Sequence, residues 1–546
     1  MSTESAHPLL PVGIHIIDTD VLDAEIVLDD DDDDSLPVIL VEAEFEVVDR
    51  VLSLLAANCP EVYTRSNSLV RVLRPHGNHS ISGPRIVEAK PGWLRYRISR
   101  LSRFRVQSRD GYRESLVPEW LAPMILALGH YPEFRSLRAV TETAVFLGDG
   151  QIHREGYDQK SGVLIIPRSI LAPMPEAPTL EDAHVAMETI FEVACDFPFG
   201  ESPSPDAHRA VLLAWILTIV ARFAIDGPTP FLVVDACSQA SGKGLLIDVG
   251  HVIAIGRPAC RIVCSQDTEE LRRAILPVLR DGRRVGWLDE VSSPFGGKGW
   301  NNLATAWPTY SDRVIRTSES PELPALTCWI VSANNLVLHP ETPRRALAIR
   351  LEPIDERPED RTGFRHPDLL AHVSREQPRL LAAALTILRA FDLAGRPRVL
   401  SQPIGSFEAW DAVIRQAVAW VSGHDPIAPR REMEAVVDQS RYAWRDVAEV
   451  LWGTFGGKHF TAKEALVALA SPDVTEAARA AVEELLAGRP ITPVSFARAV
   501  LTAHRGTPAG GIKLEVAQAH TNRGTTYRLV RTPTSQKTDI EEDLHG

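Results

Sequence analysis

Cysteine is scarce in this chain, with six among 546 residues, at positions 59, 195, 237, 260, 264 and 328. So thin a scatter excludes a disulfide framework and predicts thiols kept in a reducing compartment, the cytoplasm. Cys260 and Cys264 stand close enough to form half of a metal site. No second Cys/His pair follows at ligand spacing, so buried thiols are the expectation. Long apolar runs are also lacking. The longest, Ala210–Ala221, is bounded by Arg209 and Arg222 and falls short of the roughly 20 residues that cross a bilayer. It predicts a buried helix and no membrane partner. The N-terminus carries neither a basic flank nor a hydrophobic segment of signal type. Positive charge is outnumbered, 58 Lys and Arg against 72 Asp and Glu, for a formal charge of −14. Taken alone that balance argues against a nucleic-acid partner, but its distribution matters more than its sum.

Much of the acidity sits at one end. Asp18, Asp20, Asp23 and Glu25 lead into the unbroken run Asp29–Asp34, a block that repels itself and builds no core. Residues 1–37 therefore read as a disordered acidic tail, either a solvated arm or a nucleic-acid mimic for a basic channel; 533–546 form a second tail. The length between them suits about three globular units. The stretch 38–178 reads as an N-terminal α+β accessory domain. It runs from the amphipathic "FEVVDRVLSLLAANC" through short alternating pieces such as "WLRYRISRLSRFRV" to a strand-turn-strand around Gly148 and Gly150. Arg95, Arg97, Arg100, Arg103, Arg105 and Arg109 are interleaved with Tyr96 and Phe104, which suits either a strand-binding surface or a solvated face. Glu88, Asp110 and Glu114 form no paired-carboxylate motif, so solvated surface is their expected role and no polymerase activity is predicted.

The informative region follows a helical lead-in, Thr179 to Ile225. The β-branched run "PFLVVD" precedes "ACSQASGKG", and "GLLIDVGHVIAIG" then has helical spacing. Strand, loop, helix is the setting of a phosphate loop, in which backbone N–H groups and a helix N-terminus meet phosphate oxygens. Ser241, Gly242, Lys243, Gly244 and Leu245 are the candidate nucleotide-binding residues. The loop departs from the usual G-x-x-x-x-G-K-[ST]: Cys237 replaces the first glycine and Gly244 replaces the magnesium-binding hydroxyl. Ala240 would strain a position that requires positive φ.

Later elements arrive in a telling order. "RRVGWLDEV" places Asp289 and Glu290 at the end of a second apolar strand, the Walker B arrangement, with Asp289 for the metal and Glu290 for the attacking water. "LTCWIVSANN" ends a third strand in Asn334 and Asn335, where an amide orients water or senses a phosphate. Arg344 and Arg345 precede a fourth, Ala346–Leu351.

The succession "ASGKGLL", "VGWLDEV", "TCWIVSANN" and "RRALAIRLEP", continued by "RTGFRHPDLLAHV" and "GSFEAW", resembles the AAA+ or superfamily 3-like helicase module of phage, plasmid and integrative-element replication proteins. The resemblance implies an α/β AAA+ (P-loop) ATPase core with a parallel sheet, ATP and Mg2+ as cofactors, DNA as partner, and hexameric rings. By the same resemblance Lys243 contacts phosphates, Asp289 the magnesium, Glu290 the water, Asn334 or Asn335 the sensor position, and Arg344 or Arg345 a neighbouring subunit's nucleotide. Lys298, Arg313 and Arg316 fall where such proteins contact a strand or an adjacent subunit. A separate primase or replication initiator is an implied partner.

The core is expected over 179–375 and a helical lid or connector over 376–455. Over 456–532, "TAKEALVAL", "AARAAVEELLAG" and "TPVSFARAVLTAHRG" predict three helices, and "IKLEV" and "TYRLV" a hairpin; together they read as a C-terminal winged helix. Between Gly488 and Arg531 basic residues face the single acid Glu515, and Arg498, Arg505 and Arg523 are the candidate DNA contacts. The multi-domain whole predicts a ring-forming DNA helicase or translocase. Two other readings stay open: an ATP-gated DNA-binding initiator or regulator, and a scaffold with a decayed nucleotide site.

Overall fold

The computed structural model describes residues 36–74, 83–263, 268–291, 294–313, 320–355, 357–486, 489–506, 509–521 and 524–531. The run Asp29–Asp34, Cys264, Arg316, Arg523 and the 533–546 tail lie outside them. The chain forms two compact units, one of 1–71 with 88–135, the other of 72–87 with 136–546. The expected 38–178 domain thus spans parts of both.

In the first unit, the strand Val38–Val41 pairs in parallel with Arg103–Ser108, which pairs antiparallel with Gly111–Ser115. The helix Glu44–Asn58 buries Val47, Val48, Val51, Leu52 and Leu55, one stripe at helical spacing, in a core shared with Ile39 and Phe104. The alternating reading of residues 93–99 gives way to a helix, Pro91–Ser99. Pro91 fits the first turn, where no donor is needed, and Leu94 and Ile98 lie one turn apart on the buried face. The neighbouring arginines have carboxylate partners: Arg95 with Glu119 at 3.7 Å, Arg97 with Glu61, and Arg103 and Arg105 with Glu114 at 4.0 and 3.9 Å.

The second unit is built on a five-stranded, all-parallel sheet. Its strands are β1 (Phe231–Ala236), β2 (Arg261–Val263), β3 (Val285–Asp289), β4 (Cys328–Asn334) and β5 (Ala346–Leu351), in the order β2-β3-β4-β1-β5. All six residues of β1 are buried, as a central parallel strand covered on both faces requires. One face is covered by α1 (Leu180–Glu192), α2 (Pro205–Val220), α3 (Lys243–Ile255) and the long helix Leu369–Leu393. Helix α2 contains the apolar run and is buried nearly throughout, as expected. It packs close to α3 because Gly250 has no side chain; a Cβ there would lie 2.1 Å from the Trp215 ring. The other face holds α4 (Thr268–Arg280) and α5 (Lys298–Ala304) around Trp300, whose ring meets Phe231, Phe295 and Trp329 edge-on.

Beyond the sheet, α6 (Arg430–Phe455) sends Trp444, Val447, Ala448 and Leu451 into a separate core. That core also takes α7 (Ala462–Leu469), α8 (Glu476–Leu486) and a short helix from Pro493 that ends in a π turn, 497–501. Thr461 and Glu464 form a reciprocal cap that starts α7. The strands β6 (Phe460–Thr461), β7 (Ile512–Thr521) and β8 (Gly524–Arg531) pair in the order β6-β8-β7. The hairpin strands run longer than "IKLEV" and "TYRLV", through irregular register at Val516/Gln518 and Gln518/Thr521. Among the described residues, no helix is long and apolar enough to cross a membrane.

Candidate functional site

The carboxyl ends of β1, β3 and β4 gather the motif residues. Loop 237–242 joins β1 to α3 and is wound by two left-handed residues, Ala240 at φ 58° and Gly242 at φ 88°. Gly242 suits its place twice over: it adopts this φ freely, and a Cβ there would press on the Phe197 ring at 3.3 Å. Ala240 has no such freedom, and its methyl costs about 1–2 kcal/mol. This is the strain expected of an alanine at that place. Ser241 spends its hydroxyl on the turn itself, donating to Ser238 O at 2.5 Å.

Lys243 opens α3 and reaches across to the adjacent strand. Its Nζ donates to Asn334 Oδ1 at 2.5 Å and lies 3.5 Å from Ser238 O. Burial lowers the Lys243 pKa, while the charges of Asp235, Asp289 and Glu290 oppose that shift. The two asparagines have different partners. Asn334 meets the lysine, whereas Asn335, at φ 49°, donates from Nδ2 to Cys237 O at 3.1 Å and accepts from Arg350 Nη2 at 3.0 Å. Asn335 thus fastens the root of the loop. Arg350 also pairs with the buried Asp235, whose Oδ1 accepts from Leu336 N at 3.0 Å.

Asp289 ends β3 with both oxygens engaged. Oδ1 accepts from Ser332 Oγ at 2.5 Å and from Glu290 N at 3.1 Å; Oδ2 lies 3.8 Å from Arg261 Nη1. Ser332 in turn accepts from Trp287 Nε1 at 2.8 Å, which fixes the carboxylate. Glu290 leaves the strand at φ 52° with its side chain exposed, a backbone state that costs about 1–3 kcal/mol and recurs where a side chain must be aimed. The donor set fits magnesium in part. Asp289 can hold the water shell such an ion retains, but Gly244 supplies no hydroxyl.

A cavity of about 860 Å³ adjoins Ala240, Ser241 and Gly242 and is walled by Phe197, Leu245, Ile354, Phe364 and His366. Its apolar part, beside a phosphate-type loop, suits a flat heteroaromatic ring, while Asp196, Asp355, Arg361 and Asp368 line the rest. A larger cavity, about 1180 Å³, lies far along the chain against Thr454, Val467, Val494 and Arg498, away from the loop and its carboxylates.

The remaining candidates are placed elsewhere. Arg344 and Arg345 form the turn before β5, at the amino ends of the strands. The six residues of β5 separate that turn from the loop by about 20 Å, so the chain does not bring these arginines to its own Lys243. Arg344 is exposed; Arg345 donates to Glu341 O at 2.5 Å, and burial lowers its pKa. Lys298 is exposed at the start of α5. Arg313 follows the strand Thr309–Ser311, which pairs antiparallel with Glu322–Pro324; Arg316 falls between those strands, outside the described residues. Arg498 and Arg505 are exposed in the C-terminal module. There Glu515 takes Lys513 at 3.5 Å and Arg528 at 2.9 Å. Cys260 is exposed, not the buried thiol expected, because it lies in the open approach to β2.

Sequence reasoning missed Arg261, Arg350, Asp235, Ser332 and Phe197. Arg350 had a signal, a lone charge inside the apolar strand "ALAIRL". Arg261 had little, since β2 is only three residues long.

No protein-family model matches the chain, and no curated protein matches it. Among solved structures, it is similar to an A-form apo structure of the NrS-1 C-terminal region, with 12% identity over 86% of this chain and 96% of that one at a TM-score of 0.37. It is likewise similar to SCCmec type IV Cch, an active helicase, with 13% identity over 86% of this chain and 92% of that one at a TM-score of 0.33. Likeness at these TM-scores decides neither family nor function.

Proposed function

We propose that the chain is an ATP-dependent DNA helicase or translocase of a mobile-element replication system, acting as a ring of like subunits. The observation that carries this reading is the meeting of Lys243, Asn334, Asp289 and Glu290 at the carboxyl ends of adjacent parallel strands, with β4 between the loop strand and the carboxylate strand. An open α/β sheet binds its ligand at that edge. Lys243 and the N-terminus of α3 hold the phosphates, and the apolar cavity beside Leu245 takes the base. Magnesium, when bound, would neutralise phosphate charge. Asp289 orients its water shell, Glu290 takes the proton of the attacking water, and Asn334 passes from Lys243 to the terminal phosphate. Arg344 or Arg345 serves a neighbouring subunit's site, which their position at the opposite edge of the sheet favours.

DNA contact falls to Lys298, to Arg313 just after the strand Thr309–Ser311, to Arg316, and to the C-terminal module read as a winged helix. Its order of helices and three-stranded sheet supports that reading; Arg498, Arg505 and Arg523 are its proposed DNA contacts. A separate primase or initiator completes the system. The second reading, an ATP-gated DNA-binding protein, is favoured by the engaged oxygens of Asp289 and the missing hydroxyl at Gly244. ATP hydrolysis with and without single-stranded DNA separates the two. Stimulation by DNA, abolished in Lys243→Ala and Glu290→Gln, supports the motor. Nucleotide binding without hydrolysis supports the gated binder.

A further inference from the structure

We infer that Arg261 is a phosphate-binding residue of the nucleotide site, one that stands in for the missing loop hydroxyl and lets a nucleoside triphosphate bind without a divalent cation. The inference rests on the nucleotide-site reading above. Arg261 begins β2, at the sheet edge next to β3. Its guanidinium lies over the Trp287 ring, 4.8 Å from the centroid, and its Nη1 lies 3.8 Å from Asp289 Oδ2. The ring stack fixes the plane of the guanidinium and leaves its N–H edge open, and more than half of the side chain is exposed.

Gly244 and Arg261 fit one another. A Cβ on Gly244 would lie 3.0 Å from Arg261 Nη2 and 3.6 Å from the Trp287 ring. The serine or threonine that ordinarily follows the loop lysine would therefore press on the guanidinium and push it a few tenths of an ångström from this position. The glycine that removes a magnesium ligand is the same glycine that makes room for a fixed cation. The surrounding charges agree with this role. Asp289 faces Arg261 directly, and the charge of Arg261 is felt at Asp248 on α3, whose Oδ1 accepts from Ala259 N at 2.8 Å. With Asp289 compensated by a guanidinium, one of the two carboxylates that face an incoming triphosphate, Asp289 and Glu290, is already neutralised without a metal. Arginine also offers phosphate a paired, planar set of donors.

The test is a fluorescence-anisotropy titration of the full chain with a methylanthraniloyl ATP analogue, in excess magnesium and in EDTA, for the native protein, Arg261→Ala and Arg261→Lys. Native affinity in EDTA should stay within about fivefold of that in magnesium. Arg261→Ala should lose about tenfold or more in EDTA and about threefold or less in magnesium, with lysine intermediate because it lacks the planar fork. The double variant Gly244→Thr/Arg261→Ala, with the guanidinium gone and a hydroxyl restored, should bind only with magnesium. Equal metal dependence in the native chain and Arg261→Ala overturns the inference while the nucleotide-site reading stands. Absence of binding by the native chain in both buffers overturns both. Unchanged thermal unfolding of the variants keeps the comparison on binding, since Arg261 is exposed on an edge strand.

Discussion

The two ends of the parallel sheet hold their arginines in opposite ways. At the carboxyl edge Arg350 faces Asp235 and Arg261 faces Asp289, each guanidinium against a carboxylate. At the amino edge Arg284 donates to Thr141 Oγ1 at 2.8 Å and to Ile219 O and lies over Phe223; Arg222 donates to Ile225 O at 3.1 Å and Ala325 O at 2.8 Å and lies over Trp307. Burial pushes both of the latter down to about 10. A cation held by a carboxylate can exchange that partner for a phosphate. One held by backbone carbonyls, a hydroxyl and rings has a fixed structural task, since its removal takes buried hydrogen bonds from those acceptors and leaves a hole beside the rings. The same residue type thus stands at the proposed ligand edge and, opposite it, at a scaffold edge.

The sharpest way to probe this contrast is at the ligand edge, where Lys243→Ala and Glu290→Gln should each lower DNA-stimulated hydrolysis by about a thousandfold, measured as phosphate release, with urea midpoints close to native. At the scaffold edge Arg284→Met should cost about 3 kcal/mol in urea denaturation and leave nucleotide affinity within about twofold. Loss of nucleotide affinity with stability intact would break the contrast. A smaller effect is expected from the buried histidines. Burial lowers His251 and His504 from 6.5 to about 4, so below pH 6.5 the unfolded chain binds protons that the folded chain refuses. Stability falls as pH drops through that window, on the order of 2 kcal/mol per histidine by about pH 4.5. His251→Gln should flatten the slope of urea stability against pH. Smallest is Arg344→Ala, expected to leave nucleotide affinity within about twofold and to reduce hydrolysis about tenfold. Native subunits mixed with this variant should show a loss out of proportion to its fraction.

Strands β1, β3 and β4 and the loop were legible because each strand is an apolar run closed by a residue of distinctive chemistry: Asp235 then the glycines, Asp289 with Glu290, Asn334 with Asn335; the three residues of β2 were too few to read. The helical nature of 91–99 was hidden by arginines that alternate by chance with apolar residues; burial of Leu94 and Ile98, and the pairing of Arg95 and Arg97 with Glu119 and Glu61, show which face is which. Arg261 was illegible for a different reason. Its role depends on Trp287 and Gly244, which the chain brings beside it only by laying β2 against β3. Asn334 and Asn335 were equivalent in sequence; left-handed backbone at Asn335 separates them, turning one toward the lysine and the other toward the loop.

Thr342, fully buried, gives its hydroxyl to Asn301 Oδ1 at 3.1 Å and receives Gly297 N at 3.3 Å. That bond welds the turn bearing Arg344 and Arg345 to the helix that Lys298 opens. Trp300, wedged among three other rings, fastens the same helix to β1 and β4. Lys298, Arg344 and Arg345 are therefore carried on one rigid piece, and a displacement of the sheet that moves this helix moves all three charges together.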